Sequence, residues 1–399
     1  MGYSMAKTAK KLYQATGTAA PWYRGWDLTD EQRERFRRNT LASQAAKKRA
    51  VGGQCTRAKY PVPTPKLRAE ELMPVKSVNG LGALSLFSGG GGMDIGFERA
   101  GFAHIASFEI MENAAAVLQA ARPRWQVFGG TDGDVCQIDW KKYRGAVDVL
   151  HGGPPCQPFS HAGYRSGAGD IRDMFPELVR AIITVQPRAF VAENVTGLAT
   201  ERFQEYISKT IYEPLSAKYV IRMFTLEASA FGVPQRRRRV FFVGFLDKKE
   251  AARFSPPAAT HAFPWEFNEG GVAVTSGARH ALGLSDIGRD GLAPTLRSGL
   301  TGPRHTTSVL SSVSALRHWN ALEIWPNGVG EDREKASAFA ADNGHYRLSI
   351  PDCMLLQGFP SDWPISPPVY KALGLIGNSV APPMGYHVAL AVGRSLGAA

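Results

Sequence analysis

From Leu81 onward the chain alternates between apolar runs of strand length and amphipathic stretches of helix length. The runs are ALSLF (83–87), HIASF (104–108), VDVL (147–150), RAFVA (188–192), YVIRMF (219–224) and VFFVGF (240–245). Strands that are apolar throughout are buried on both faces, and the helices between them supply the cover. The pattern predicts an α/β fold, a doubly wound and mostly parallel sheet with helices on both sides. Ligands in such sheets bind beyond the carboxyl ends of the strands, so the residues that end each run carry the most information.

VDVL stops at Gly152-Gly153-Pro154-Pro155, through which no strand can continue. Cys156 comes next. A cysteine on a rigid turn at a strand's end is presented as a nucleophile would be; a buried cysteine acting as a small hydrophobe is the alternative these residues leave open. ALSLF runs into Phe87-Ser88-Gly89-Gly90-Gly91-Gly92, and glycines between strand and helix let a ligand approach the backbone. Such turns serve NAD, FAD and S-adenosylmethionine alike. HIASFE ends at Glu109, 20 residues past Gly89, where a carboxylate accepts from ribose hydroxyls. A third strand region ends at Gly133-Asp134-Val135, and its carboxylate is placed to accept from an adenine amino group.

RAFVAENV delivers Glu193 and Asn194, with Glu193 37 residues past Cys156, about one α/β unit. A Glu inside an apolar run needs a partner, and beside a nucleophile it serves as an acid or a hydrogen-bonding anchor. In QRRRR, Gln235, Arg237 and Arg239 share one face at strand period and Arg236 and Arg238 take the other. Inward-facing guanidinium groups suit anion or base-edge contacts.

The net charge is +12, and residues 1–80 hold 16 Lys and Arg against 6 Asp and Glu. That imbalance suggests a polyanionic partner, a nucleic acid or an anionic surface. Thr29 and Gln32 have the form of a capping box for a helix over about 30–48, either solvated or set against a DNA backbone. Residues 51–80, with Pro61, Pro63 and Pro65, read as a linker. The four cysteines include no C-x-x-C pair, which argues against a metal site and a disulfide framework and for a reducing cytoplasm. No apolar run approaches the roughly 18 residues of a membrane span, and the N-terminus lacks a signal peptide's apolar stretch.

LFSGGGG, Glu109, Asp134-Val135, PPCQPFS, ENV, QRRRR, LQGFP and GNSV, in this order, resemble the DNA cytosine-5 methyltransferases of bacterial restriction–modification systems. The resemblance covers about 81–246 and 348–396. It implies four segments: a basic extension and linker (1–80), a catalytic and cofactor-binding domain (81–246), a target-recognition domain (247–347), expected as separate and irregular, and a segment returning to the catalytic domain (348–399). It implies S-adenosylmethionine as cofactor, with S-adenosylhomocysteine as product, and no metal. Phe87, Gly89, Gly90, Gly92, Glu109, Ile110, Asp134, Val135, Pro155, Met174, Asn378 and Ser379 would hold the cofactor. Cys156 would be the nucleophile. Glu193 would hold the cytosine at N3 and its amino group, with Arg239 at O2 and Arg237 near the catalytic backbone and the phosphates. Gln157, Ser160, Gln235, Thr295, Arg297 and Arg304 would meet the DNA, and His161–Gly169 would close over an extruded base. Ser85 stands where an acidic residue often precedes LFSG, and IPD (350–352) replaces the usual opening of the LQGFP helix.

The expected substrate is a short site in double-stranded DNA, the expected state a monomer in the bacterial cytoplasm, with a cognate restriction endonuclease as possible counterpart. Methylation of tRNA cytosine by the same Cys and Glu is the main alternative. An NAD-dependent enzyme with a catalytic cysteine leaves ENV and GNSV unused. A regulator of its own promoter, built on residues 1–80, is the non-enzymatic reading.

Overall fold

The structure, a computed structural model, describes residues 60–155, 173–263, 271–298, 306–338, 344–366 and 368–398, together with Asp30, Glu31, Glu34, Arg37, Arg38, Leu41 and Ala45. Those seven positions are helical and exposed, inside the stretch where a helix is expected. The six apolar runs and one further segment form β1 (Gly82–Leu86), β2 (Ala103–Glu109), β3 (Val127–Gly129), β4 (Val149–Gly152), β5 (Ala189–Val195), β6 (Val220–Glu227) and β7 (Arg238–Phe245). They make one sheet in the order β3-β2-β1-β4-β5-β7-β6. The first five strands are parallel, and β7 lies antiparallel between β5 and β6. The α/β, mostly parallel sheet expected from the alternation is therefore present. β3 stops at Gly129, earlier than expected, and a single turn of 3-10 helix (Gly130–Gly133) brings Asp134 to the edge.

Around the sheet lie helices α1 (Gly92–Arg99), α2 (Glu112–Ala121), α3 (Phe175–Val185), α4 (Ala278–Leu282), α5 (Val313–Ala321), α6 (Arg333–Ala338), α7 (Ile350–Gln357), α8 (Val369–Asn378) and α9 (Pro382–Ser395). Successive strand residues face opposite sides, so the sheet feeds two cores. Ala83, Val191, Phe241 and Val243 join the core under α1, α2 and α9. Leu84, Leu86, Phe190 and Phe242 join the core under α3. α1 and α9 cross so closely that a Cβ on Gly96 would collide with the backbone of Tyr386.

The described part of residues 247–347 holds α4, α5, α6, the small pair β8 (His261–Ala262) and β9 (Ala273–Val274), and β10 (Ile324–Gly330), which pairs in parallel with β11 (Tyr346–Ser349). Among the described residues they have no core of their own. Trp319, Ile324, Val329, Tyr346 and Leu348 are buried in the core that also lies under α1 and α9. IPD at the opening of α7 makes a capping box: Ser349 Oγ accepts from Asp352 N–H, and Asp352 Oδ2 accepts from Ser349 N–H at 2.9 Å. Gly358, at φ +86°, closes the helix.

The linker expectation fails from residue 60 onward. Tyr60 packs edge-on against Tyr346, and the Lys66 and Leu67 N–H groups both donate to the Ala281 carbonyl. Ala69 and Met73 are buried, and Arg99 of α1 donates to the carbonyls of Met73 and Glu70. Tyr386 of α9 donates to the Pro74 carbonyl. The prolines make an extended strap, not a flexible tether. Among the described residues no helix is long and apolar enough to cross a membrane, and no cluster of three His, Cys, Asp or Glu is placed to hold a metal ion.

Candidate active site

The carboxyl ends of β1, β2, β3, β4 and β5 bring the expected residues to one edge of the sheet. β1 leads into Phe87, which is held in the left-handed region at φ +56°, uncommon for a bulky side chain. Gly89 and Gly91 also have positive φ. Gly89 N–H donates to Glu109 Oε2 at 2.7 Å, and Met111 N–H donates to Glu109 Oε1 at 2.8 Å. Glu109 is buried, and burial pushes its carboxyl above the usual range against the two donors. Each of its oxygens keeps a lone pair for a further hydroxyl donor. Ile110 follows, half-buried. Asp134 Oδ1 accepts from Cys136 N–H at 3.0 Å, and the Val135 carbonyl accepts from Arg180 of α3 at 2.6 Å. Met174 sits at the N-cap of α3.

Gly90 and Gly92 are small for a second reason. A Cβ on Gly92 would strike the Val380 carbonyl, and one on Gly90 would come within 2.7 Å of Ser379 Oγ. Trp363 Nε1 donates to the Gly90 carbonyl at 2.9 Å. Close approach of the returning segment requires glycine here. Ser379 is buried and Asn378 exposed at the end of α8.

At the catalytic end, Glu193 and Arg239 are 6% and 9% exposed, with Arg239 Nε 2.8 Å from Glu193 Oε1. Burial raises the Glu193 pKa, while Arg239 and Arg237 pull it down. Gly153 passes so close that a Cβ there would lie 3.0 Å from Glu193 Oε2. Asn194 Nδ2 donates to the Pro154 carbonyl at 3.0 Å, a positioning contact the sequence reading missed. The signal was present in the adjacent Glu-Asn pair, because a polar residue at the buried end of a strand needs a partner. Pro155 ends the described part of this turn. Cys156, Gln157, Ser160, the segment His161–Gly169 and Arg304 lie outside the described residues.

The alternation in QRRRR is realised: Gln235, Arg237 and Arg239 are buried, Arg236 and Arg238 exposed. One of the expected contacts with DNA is corrected by that burial. Gln235 is fully enclosed; its amide donates to the Leu356 carbonyl and Gln357 Oε1 and accepts from Leu296 N–H, so it staples β7 to α7. Arg237 is fully enclosed too. Its guanidinium donates to the carbonyls of Gly377 and Ser379 at 2.8 and 2.7 Å, and its charge acts on Glu193. Thr295 is half-buried and its hydroxyl donates to the Arg236 carbonyl at 2.5 Å. Arg297, half-buried, donates its N–H to the Val309 carbonyl.

Comparison with known proteins gives the same outline. A model of the C-5 cytosine-specific DNA methylases matches residues 81–280 and 300–394. The Type II methyltransferase M.NgoMIV of Neisseria gonorrhoeae is 33% identical over 328 residues, 79% of this chain and 96% of that protein. The Type II methyltransferase M.NaeI of Lentzea aerocolonigenes is 31% identical over 322 residues, 80% of this chain and 75% of that protein. The structure of the methyltransferase EhMeth of Entamoeba histolytica shares the fold at a TM-score of 0.53 and 15% identity, covering 80% of this chain and 99% of that one. With a family match running through both the sheet and the returning C-terminal helices, the chain belongs to the C-5 cytosine-specific DNA methylases.

Proposed function

We propose that the protein transfers a methyl group from S-adenosylmethionine to C5 of a cytosine in a short duplex DNA site, after extruding that base, by attack of Cys156 on C6. The observation that carries this reading is the buried Glu193–Arg239 pair, 2.8 Å apart, beside the Gly152–Pro155 turn that leads directly into Cys156. Glu109, the Gly89 turn, Asp134 and Ser379 fit the cofactor: they offer a carboxylate with free lone pairs, a second carboxylate at the next strand end, and a turn closed by the returning chain. When bound, the cofactor supplies an electrophilic methyl group on a sulfonium.

The Cys156 thiolate adds to C6, and the ring becomes an enamine whose C5 is nucleophilic. Glu193 faces N3 and the amino group, and Arg239 faces O2. A raised carboxyl pKa favours the neutral form of Glu193, which donates to N3 where charge builds up. After methylation, loss of the C5 proton and departure of the thiolate restore the ring. The base must leave the stack for this, at a cost of a few kcal/mol. Because the neutral carboxyl is the donor, the methyl-transfer step slows as pH rises through the raised Glu193 pKa; a single-turnover rate that shows no such fall removes that role.

The Type II relatives support a part in restriction–modification, with a partner endonuclease cutting the same site. The test is incubation with duplex DNA and labelled cofactor, then base-resolution mapping of 5-methylcytosine. Methylation at one short motif is expected, and Cys156→Ser abolishes it while retaining cofactor. Label in tRNA and none in DNA overturns the DNA reading.

A further inference from the structure

Beneath the cofactor turn lies a polar row that the proposed chemistry does not use. Ser107, Ser85 and His151 are register partners across β2, β1 and β4, and all three are buried. They point to the side that α1 covers, as Ala83 and Val149 do two residues earlier. Asp94, in the first turn of α1, lies over the row. Ser107 Oγ donates to Asp94 Oδ1 at 2.8 Å, and Ser85 Oγ is 2.7 Å from Ser88 Oγ in the cofactor turn. The His151 ring stacks on Phe97 of the same helix, with centroids 4.3 Å apart and planes at 15°.

Two atoms are left over. Asp94 Oδ2 and His151 Nδ1 are buried and have no hydrogen-bond partner among the described residues. Both residues line a cavity of about 10 Å³, with Phe97, Phe102, His104 and Trp125. That is the smallest space that holds one water molecule. An unpaired buried polar atom costs about 1–3 kcal/mol, so two that share a small cavity point to a shared partner.

We infer that one water bridges Asp94 Oδ2 and His151 Nδ1, and that this bridge makes Asp94 and His151 a positioning pair that sets the cofactor turn against the catalytic strand. The placement gives the reason. α1 starts at Gly92, the last glycine of the turn; β2 ends at Glu109, two residues past Ser107; β4 ends at Gly152, four residues before Cys156. A small tilt of α1 against β4 therefore moves the cofactor relative to the nucleophile. Burial lowers the His151 pKa to about 4, so the ring meets the water uncharged near neutrality. The role in catalysis rests on the function proposed above; the bridge itself does not.

The experiment compares His151→Asn, His151→Gln, His151→Leu, Asp94→Asn and the Asp94→Asn/His151→Leu pair. Asn places an amide where Nδ1 stands, Gln where Nε2 stands, and Leu keeps only the bulk. Cofactor affinity is read by calorimetry without DNA, KM and kcat by methylation, and folding by thermal unfolding. The inference expects roughly tenfold weaker cofactor binding and a lower kcat for Leu and for Asp94→Asn, recovery with Asn but not with Gln, and no further loss in the double variant. Gln recovering as well as Asn, or losses that add in the double variant, overturns it. If the unaltered protein binds no S-adenosylmethionine, the functional reading fails instead. The bridge is then judged by unfolding alone, where additive effects of the two substitutions reject it.

Discussion

Asn194 and Glu193 are neighbours with opposite duties. Asn194 holds the Pro154 carbonyl and so fixes the turn that precedes Cys156. Replacing it by Ala leaves that buried carbonyl unpaired, for about 1–3 kcal/mol of stability. A slight shift of the proposed nucleophile is enough to lower kcat by about 100-fold. Calorimetry should show cofactor affinity unchanged in Asn194→Ala; a matching loss of affinity would assign the residue to the cofactor pocket. Glu193→Gln keeps an oxygen that accepts from Arg239 Nε but removes the carboxyl proton. It should lower the transfer rate by about 10²- to 10⁴-fold, as expected when a proton donor is lost. His151 gives a pH dependence with a definite sign. Its pKa falls from 6.5 unfolded to about 4 folded, so its contribution is complete above pH 6.5 and is lost as pH falls toward 4. The loss is about 3 kcal/mol. His387, also lowered to about 4, adds a similar slope, so the check is the difference between unfolding curves of wild type and His151→Asn.

The strands were legible because burial on both faces leaves an apolar run that no loop imitates; β1, β2, β5 and β7 all coincide with such runs. Glu109 and Glu193 were legible because each is a carboxylate ending such a run. Gln235 was misread for a physical reason: period two shows which residues share a face, but not whether that face meets solvent or α7. α8 went unnoticed because Gly374 and Gly377 read as helix breakers, although its apolar face is well marked. Gly90 and Gly92 were read as room for a ligand; the resemblance brought Ser379 to the same pocket, but not the pressure of residues 379–380 on these glycines. The α1–α9 crossing provides the sharpest check on such packing. Gly96→Ala drives a methyl into the Tyr386 backbone, for about 1–3 kcal/mol or more. Thermal unfolding should show that drop without any change in charge or polarity; an unchanged midpoint would mean the two helices can separate freely.

The whole protein is bound together by its outlying parts. The strap over residues 60–80 touches α4, α1, α9 and Tyr346, and so joins the irregular 247–347 region to the catalytic sheet. Met73→Ala, at a fully buried position, should cost about 2–5 kcal/mol, read by thermal unfolding. A deletion meant to test whether the basic extension binds DNA should therefore stop at residue 59, since one that runs to residue 75 also removes part of the core. The contact between α1 and α9 joins residues nearly 300 positions apart in the chain. On a ribosome, β1, the glycine turn and α1 are made nearly 300 residues before the helix that covers them. Until residue 395 has emerged, Met93, Ile95 and Phe97 lack their cover and the glycine turn lacks Ser379 and Val380. A nascent chain thus cannot form its cofactor pocket ahead of time, and its exposed apolar face is one that a chaperone would hold.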